Sequence, residues 1–163
     1  MSEAAGNLPE APTERVRAIV ERVVAELELD AEVSVEEGDE EIVARVEGEG
    51  EELGVLIGRH GQTIDALQLL CYRAAFDGPE GRKRVTVDAA GYRDRRREAL
   101  EGVADRAAED ALRLGQPVHL EPMSANERRV VHQYLAGRSG IATHSEGEEP
   151  ERHLVVAPLV GSE

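Results

Sequence analysis

The spacing of apolar positions changes period several times along the chain, and each change marks an element. Val16, Val20, Val23, Val24 and Leu27 recur at i, i+4, i+7, i+8 and i+11, the spacing of one buried helical face. They predict a helix from Thr13, a candidate N-cap, to about Leu29. The period then drops to two. Val33 and Val35 alternate with Glu32, Ser34 and Glu36, and Ile42, Ala44 and Val46 alternate with Val43 and Arg45. Glu37-Gly38-Asp39-Glu40 lies between these runs, so the segment predicts a β-hairpin, closed by Gly48-Glu49-Gly50. A short helix around 51–57 leads into Gly58-Arg59-His60-Gly61. A longer one, about 62–76, turns Ile64, Leu67, Cys71, Ala74 and Ala75 inward. Asp77-Gly78-Pro79-Glu80-Gly81 breaks it, and Arg84 to Asp88 reads as a third strand.

Gly91 marks a boundary. Beyond it a long helix, about 92–114, carries Leu100, Val103, Ala107 and Leu114 on one face, stopped by Gly115 and Pro117. A brief strand, Val118 to Leu120, follows. Ser124-Ala125-Asn126-Glu127 matches a capping box and opens a helix to about Ala136. Ile141 to Ser145 and His153 to Ala157 predict two paired strands around the acidic loop Glu146-Gly147-Glu148-Glu149-Pro150. The pattern predicts an α+β chain of two small domains, residues 13–89 and 91–158. A disordered acidic lead (1–12) precedes them and a short tail (159–163) follows.

Composition narrows the function classes. The chain has 163 residues, 40% hydrophobic but only 2% aromatic, so its core must come from Val, Leu, Ile and Ala. No apolar run approaches the roughly 20 residues that span a membrane, and the N-terminus carries no basic start or apolar stretch of a signal peptide. A single cysteine, Cys71, excludes an intramolecular disulfide. A cytoplasmic protein without membrane insertion is expected.

The net charge of −15 argues at first against nucleic acid. Its distribution reverses that. Residues 1–54 hold 17 acids and 4 bases, whereas 55–163 hold 17 acids and 15 bases. The stretch 82–97 is locally basic, with Arg82, Lys83, Arg84, Arg93, Arg95, Arg96 and Arg97 against Asp88 and Asp94.

Three features carry candidate chemistry. Gly58 and Gly61 flank two polar residues between helices, which lets a backbone approach an extended ligand, while Arg59 and the following helix N-terminus favour phosphate. A tight helix–helix turn with no ligand has the same pattern. Arg128 and His132 stand at i and i+4, hence on one helix face, suited to an anion or to a structural hydrogen bond. Arg93, Arg95, Arg96 and Arg97 crowd the first turns of a helix, where positive charge opposes the macrodipole and invites either an anionic partner or pairing, such as Arg97 with Glu101. Catalysis is not expected. No H-E-x-x-H or cysteine-pair spacing occurs, His144 and His153 facing across a hairpin would be two residues and not a site, and Cys71 falls on an inward face. No metal or cofactor is expected.

The first unit resembles a KH domain of the bacterial type II arrangement, with Ile57-Gly58-Arg59-His60-Gly61-Gln62-Thr63-Ile64 in the place of its signature loop. The second resembles the R-three-H domain, named for an Arg-x-x-x-His motif, here Arg128-Arg129-Val130-Val131-His132. Thr143 to Pro150 resembles the glycine-containing turn near that domain's end. A KH unit followed directly by an R-three-H unit resembles the Jag family, also called SpoIIIJ-associated or KhpB proteins.

The resemblance implies a three-stranded sheet with helices on one face for the KH unit, and single-stranded RNA as ligand, with single-stranded DNA an open alternative. The loop would clamp the backbone of about four nucleotides. Gly58 and Gly61 would allow approach, Arg59 would meet phosphate, and His60 and Gln62 would add polar contacts. Ile57 and Ile64 would wall the groove. The resemblance assigns Arg128 and His132 a second anion contact, and the local basic charge itself, not the resemblance, suggests Lys83, Arg84, Arg95 and Arg96 as an accessory RNA surface. A bacterial post-transcriptional regulator or RNA chaperone linked to the cell envelope or division is implied. So is a homodimer, or a heterodimer with a small single-KH-domain protein. The competing reading is a protein–protein adaptor.

Overall fold

The computed structural model describes residues 9–49 and 51–159. Most of the expected lead (1–8), most of the expected tail (160–163) and Gly50 lie outside the described residues. Two units emerge, Met1–Arg93 and Asp94–Glu163.

In the first unit the elements are α1 (Pro12–Glu26), β1 (Ala31–Glu37), β2 (Glu41–Gly48), α2 (Gly54–Ile57), a 3-10 turn (Arg59–Gly61), α3 (Gln62–Ala75) and β3 (Arg84–Ala89). The sheet order is β1-β2-β3. β1 pairs antiparallel with β2 from Ala31↔Gly48 to Glu37↔Ile42, and β3 runs parallel to β2 from Glu41↔Arg84 to Val46↔Ala89. Strand alternation sends Ile42, Ala44, Val46, Val85, Val87 and Ala89 to one face. There they pack against Val16, Val20 and Val24 of α1 and Ile64, Leu67, Cys71 and Ala75 of α3. One face is therefore helical, as the KH arrangement requires.

Three local expectations are corrected. Thr13 is not the N-cap: Ala11 is, and Pro12 takes N1, where its fixed φ is preorganised and its missing N–H costs nothing. The Thr13 hydroxyl bonds the Glu37 carboxylate instead. The helix stops at Glu26 rather than Leu29, because Glu28 turns to φ 56. Leu27, past that end, is exposed, and Val23 and Ala74 are half-buried at the margins of the buried stripes.

The second unit holds α4 from Asp94 on (its full span is Tyr92–Leu114), β4 (Val118–His119), α5 (Ala125–Leu135), β5 (Ile141–Glu146) and β6 (His153–Pro158). The sheet order is β4-β6-β5, antiparallel throughout. The capping box forms in both directions. The Glu127 N–H donates to Ser124 Oγ at 3.3 Å and the Ser124 N–H to Glu127 Oε2 at 3.3 Å. On α4 the buried face is Leu100, Ala104, Ala107, Ala108 and Ala111, rotated from the expected stripe. Val103 is half-buried and Leu114 exposed. Beside Leu100, the four alanines of this face pack with Val131, Leu135, Leu154 and Val156 in one core.

Candidate nucleic-acid interface

The glycine loop is a tightly packed, kinked junction. Gly58 stands at φ 72, His60 at φ 51 and Gly61 at φ 80. A Cβ on Gly58 would lie 2.8 Å from Thr63 Cβ, and one on Gly61 would lie 2.8 Å from Tyr92 Cε1. Both glycines are thus demanded by internal packing and by the left-handed backbone together. These three positive-φ residues within four positions bend the loop, and Arg59 and His60 are exposed at it while Gly61 itself is buried. Gly61 caps α3 without a side chain, so nothing from the cap residue competes for the first-turn N–H groups.

The expected groove residues separate. Ile57 is half-buried against the core at the end of α2, and Gln62 is exposed beside the loop. Ile64 is completely buried, so it supports the loop from beneath and offers no surface to a ligand. Lys83 Nζ donates to Glu37 at 2.6 Å and to the Gly38 carbonyl at 2.8 Å, and Arg84 Nε lies 3.3 Å from Glu41. Lys83 is committed to the β1–β2 hairpin, whereas Arg84 pairs with it and stays 70% exposed.

The arginine cluster is also divided. Arg93 donates to the Val87 carbonyl (2.8 Å), Asp65 (3.0 Å) and Gln68 (2.9 Å), tying β3 to α3 inside the first unit. Arg96 donates to Glu127 at 2.6 Å inside the second. Arg97 pairs with Asp94 at 3.5 Å, not with Glu101. Arg95 is exposed and takes part in an interaction of its own.

Arg128 and His132 share a face of α5 and line one cleft of about 370 Å³ with Arg129, Thr143, His144 and Arg152. Their environments differ sharply. Arg128 is 7% exposed, and its guanidinium donates to the Met123 carbonyl (2.6 Å), the Arg152 carbonyl (3.4 Å) and Glu149 (2.6 Å). It organises the cleft floor. His132 is exposed, with Nδ1 2.5 Å from Thr143 Oγ1. Arg129, beside them and exposed, adds positive charge at the rim.

Sequence reasoning missed Tyr92, which carries no local signal because its contact with Gly61 spans 31 positions. It also missed Glu149, which was legible only as part of an acidic loop. The pairing of His144 with His153 is corrected. The register sets His144 opposite Val155 and His153 opposite Glu146. No helix among the described residues is long and apolar enough to cross a membrane.

With this geometry in place, comparison with known proteins is specific. Residues 13–88 match the family model of the KhpA/KhpB KH domain, and residues 98–158 match that of the R-three-H domain. The chain is 36% identical over 138 residues to an RNA-binding protein KhpB of Clostridium symbiosum, covering 85% of this chain and 62% of that one. It is 34% identical over 148 residues to RNA-binding protein KhpB of Bacillus subtilis (strain 168), covering 90% and 70%. It is 36% identical over 135 residues to the protein of that name in Lactiplantibacillus plantarum, covering 83% and 41%. The chain thus spans less than two thirds of the Clostridium and Lactiplantibacillus relatives.

Proposed function

The chain belongs to the KhpB family, and on that premise we propose that it is a single-stranded RNA-binding protein whose Gly58–Gly61 loop clamps the RNA backbone. The observation that carries this reading is the loop itself. A junction packed closely against Thr63 and Tyr92 presents an exposed Arg59 and His60 beside an uncapped helix start. Backbone N–H groups already in place beside a cation favour phosphate, and a loop that needs no rearrangement lowers the ordering cost of binding. Among 2% aromatic residues there is little to stack bases on, so recognition runs through phosphate and sugar more than through bases.

The R-three-H cleft is the second contact in this reading. His132 and Arg129 face the strand, and Arg128 acts from beneath by holding the 149–152 segment in place. Lys83 and Arg84 on the first unit, and separately Arg95 and Arg96 on the second, are accessory contacts in this reading, with RNA competing against the acidic partners of Lys83, Arg84 and Arg96. The role we assign is cytoplasmic post-transcriptional regulation or RNA chaperoning tied to the cell envelope or division. Single-stranded DNA is the natural competitor to test.

The adaptor reading has one observation in its favour. Val55 of α2 and Leu69 and Leu70 of α3 are large apolar side chains of the KH unit left 55%, 56% and 61% exposed. They suit pairing with a second KH-type chain, the same one or a small single-domain partner. The Arg59→Asp/His60→Asp double variant separates the readings. Titrated against a fluorescent single-stranded RNA, it should lose at least tenfold in affinity and show a shallower salt dependence. Binding at parental affinity would end the clamp reading and favour the adaptor.

A further inference from the structure

Three strands bring histidines and a carboxylate together on the side of the C-terminal sheet that the helices leave open. The register pairs His119 with Val155, His144 with Val155 and Glu146 with His153. Alternate residues share a face, so His119, His144, Glu146, His153 and Val155 all project to one side. Leu154 and Val156 project to the other, into the core. Val155 is nonetheless buried, flanked by its two histidine neighbours.

The polar atoms converge. His119 Nδ1 lies 3.1 Å from His153 Nε2 and 4.0 Å from Glu146 Oε2, and one ligand atom from each residue falls within 4.8 Å of the others. His153 Nδ1 sits 3.3 Å from the Glu151 carbonyl oxygen. An N–H donated there leaves Nε2 as a bare lone pair aimed at the centre, the arrangement that orients metal-binding imidazoles. His144 Nε2 lies 2.8 Å from Glu146 Oε1 and fixes the carboxylate from behind.

We propose that His119, His153 and Glu146 form a site for a divalent cation of the zinc class, with His144 orienting the carboxylate. Two imidazoles and one carboxylate suit zinc, cobalt, nickel or copper, whereas calcium and magnesium require oxygen ligands throughout. Zinc–nitrogen bonds of about 2.0–2.1 Å at a tetrahedral angle set two nitrogens about 3.3–3.4 Å apart. The 3.1 Å observed between His119 and His153 is within a few tenths of that. The His119 and Glu146 side chains are both about half exposed, so the cluster is open to solvent. An ion there would replace the single hydrogen bond between the two imidazoles. It would also tie together Glu146 and His153, the two ends of the loop that supplies Glu149 and the Arg152 carbonyl to Arg128.

The test uses the full, untagged chain stripped with a chelator and titrated with zinc chloride by calorimetry, and with cobalt(II) by visible absorption. One saturable equivalent is expected, undiminished by excess magnesium. His119→Gln or His153→Gln should weaken it at least tenfold, and the double variant should abolish the cobalt band. Glu148→Gln, an acid of the same loop outside the ligand set, should leave the affinity within twofold. The proposal is overturned if no saturable equivalent appears, or if the double variant keeps parental affinity with an unchanged circular dichroism spectrum. Should the double variant misfold, Glu146→Gln decides instead: a tenfold loss supports the site, and parental affinity refutes it. RNA binding does not enter either readout.

Discussion

Tyr92 lies so close to Gly61 that a methyl group there would sit 2.8 Å from the ring's Cε1 and 3.0 Å from its hydroxyl oxygen. The first residue of α4 thus holds the last residue of the glycine loop from 31 positions away. The loop's shape is a tertiary property as much as a local one. Gly61→Ala must bear both the left-handed backbone at φ 80 and this overlap. A loss of about 2–4 kcal/mol is expected in chemical denaturation, and RNA affinity should fall with it. Adding Tyr92→Leu should recover part of the loss, since the overlapping ring atoms are gone. Gly61→Ala at parental stability would contradict the packing argument.

Arg128 and His132 share a motif but should behave oppositely. Arg128→Ala removes a buried guanidinium from two carbonyl oxygens and strands them, for about 2–4 kcal/mol. Arg128→Lys should rescue little, because one ammonium cannot reproduce the fork. His132→Ala loses one exposed hydrogen bond, for at most about 1 kcal/mol, and should act mainly on RNA affinity. Thermal unfolding beside RNA titration separates the two effects.

Neutralising Arg96 and Arg97 discriminates paired from solvated charge. The Arg96–Glu127 side chains are 26% and 10% exposed, and Glu127 also completes the α5 capping box. Arg96→Ala should therefore cost about 1–3 kcal/mol by denaturant titration. Arg97→Ala breaks a longer contact in open solvent and should change stability by at most about 0.5 kcal/mol. A salt-slope decrease in Arg97→Ala without destabilisation would place that side chain on the RNA surface.

Burial pushes the Cys71 thiol up to about 11. At pH 8 the native protein should resist alkylation by iodoacetamide while the denatured chain reacts readily, checked by mass spectrometry. The group is protonated more readily folded than unfolded. Its contribution to stability is therefore complete below the unfolded value near 9 and is lost as pH rises toward 11. Cys71→Ser should flatten the alkaline limb of the stability profile.

Much of this protein is decided locally. The 3.6-residue stripe of Val16, Val20 and Val24, the strict alternation of Ile42, Ala44 and Val46, and the Ser124–Glu127 capping box each settle their element through nearest neighbours. That is why element order, and with it the KH and R-three-H assignment, was readable from the chain. The same locality exposed the glycine pair, since φ values near +70 to +80 belong to glycine wherever they occur. What no window of sequence contains is who occupies the space beside those glycines, or which acid each arginine meets. Arg93, Arg96 and Arg97 look alike in a row. Yet α4 turns Arg93 toward α3 and Arg96 toward Glu127. Arg128 and His132 share a face, but only the return of the 149–152 segment buries one and leaves the other in water. His119, Glu146 and His153 meet only because strand register brings three distant positions to one point. Periodicity chooses elements through short-range sterics and burial. Side-chain partnership depends on long-range register and packing, which tertiary structure alone supplies.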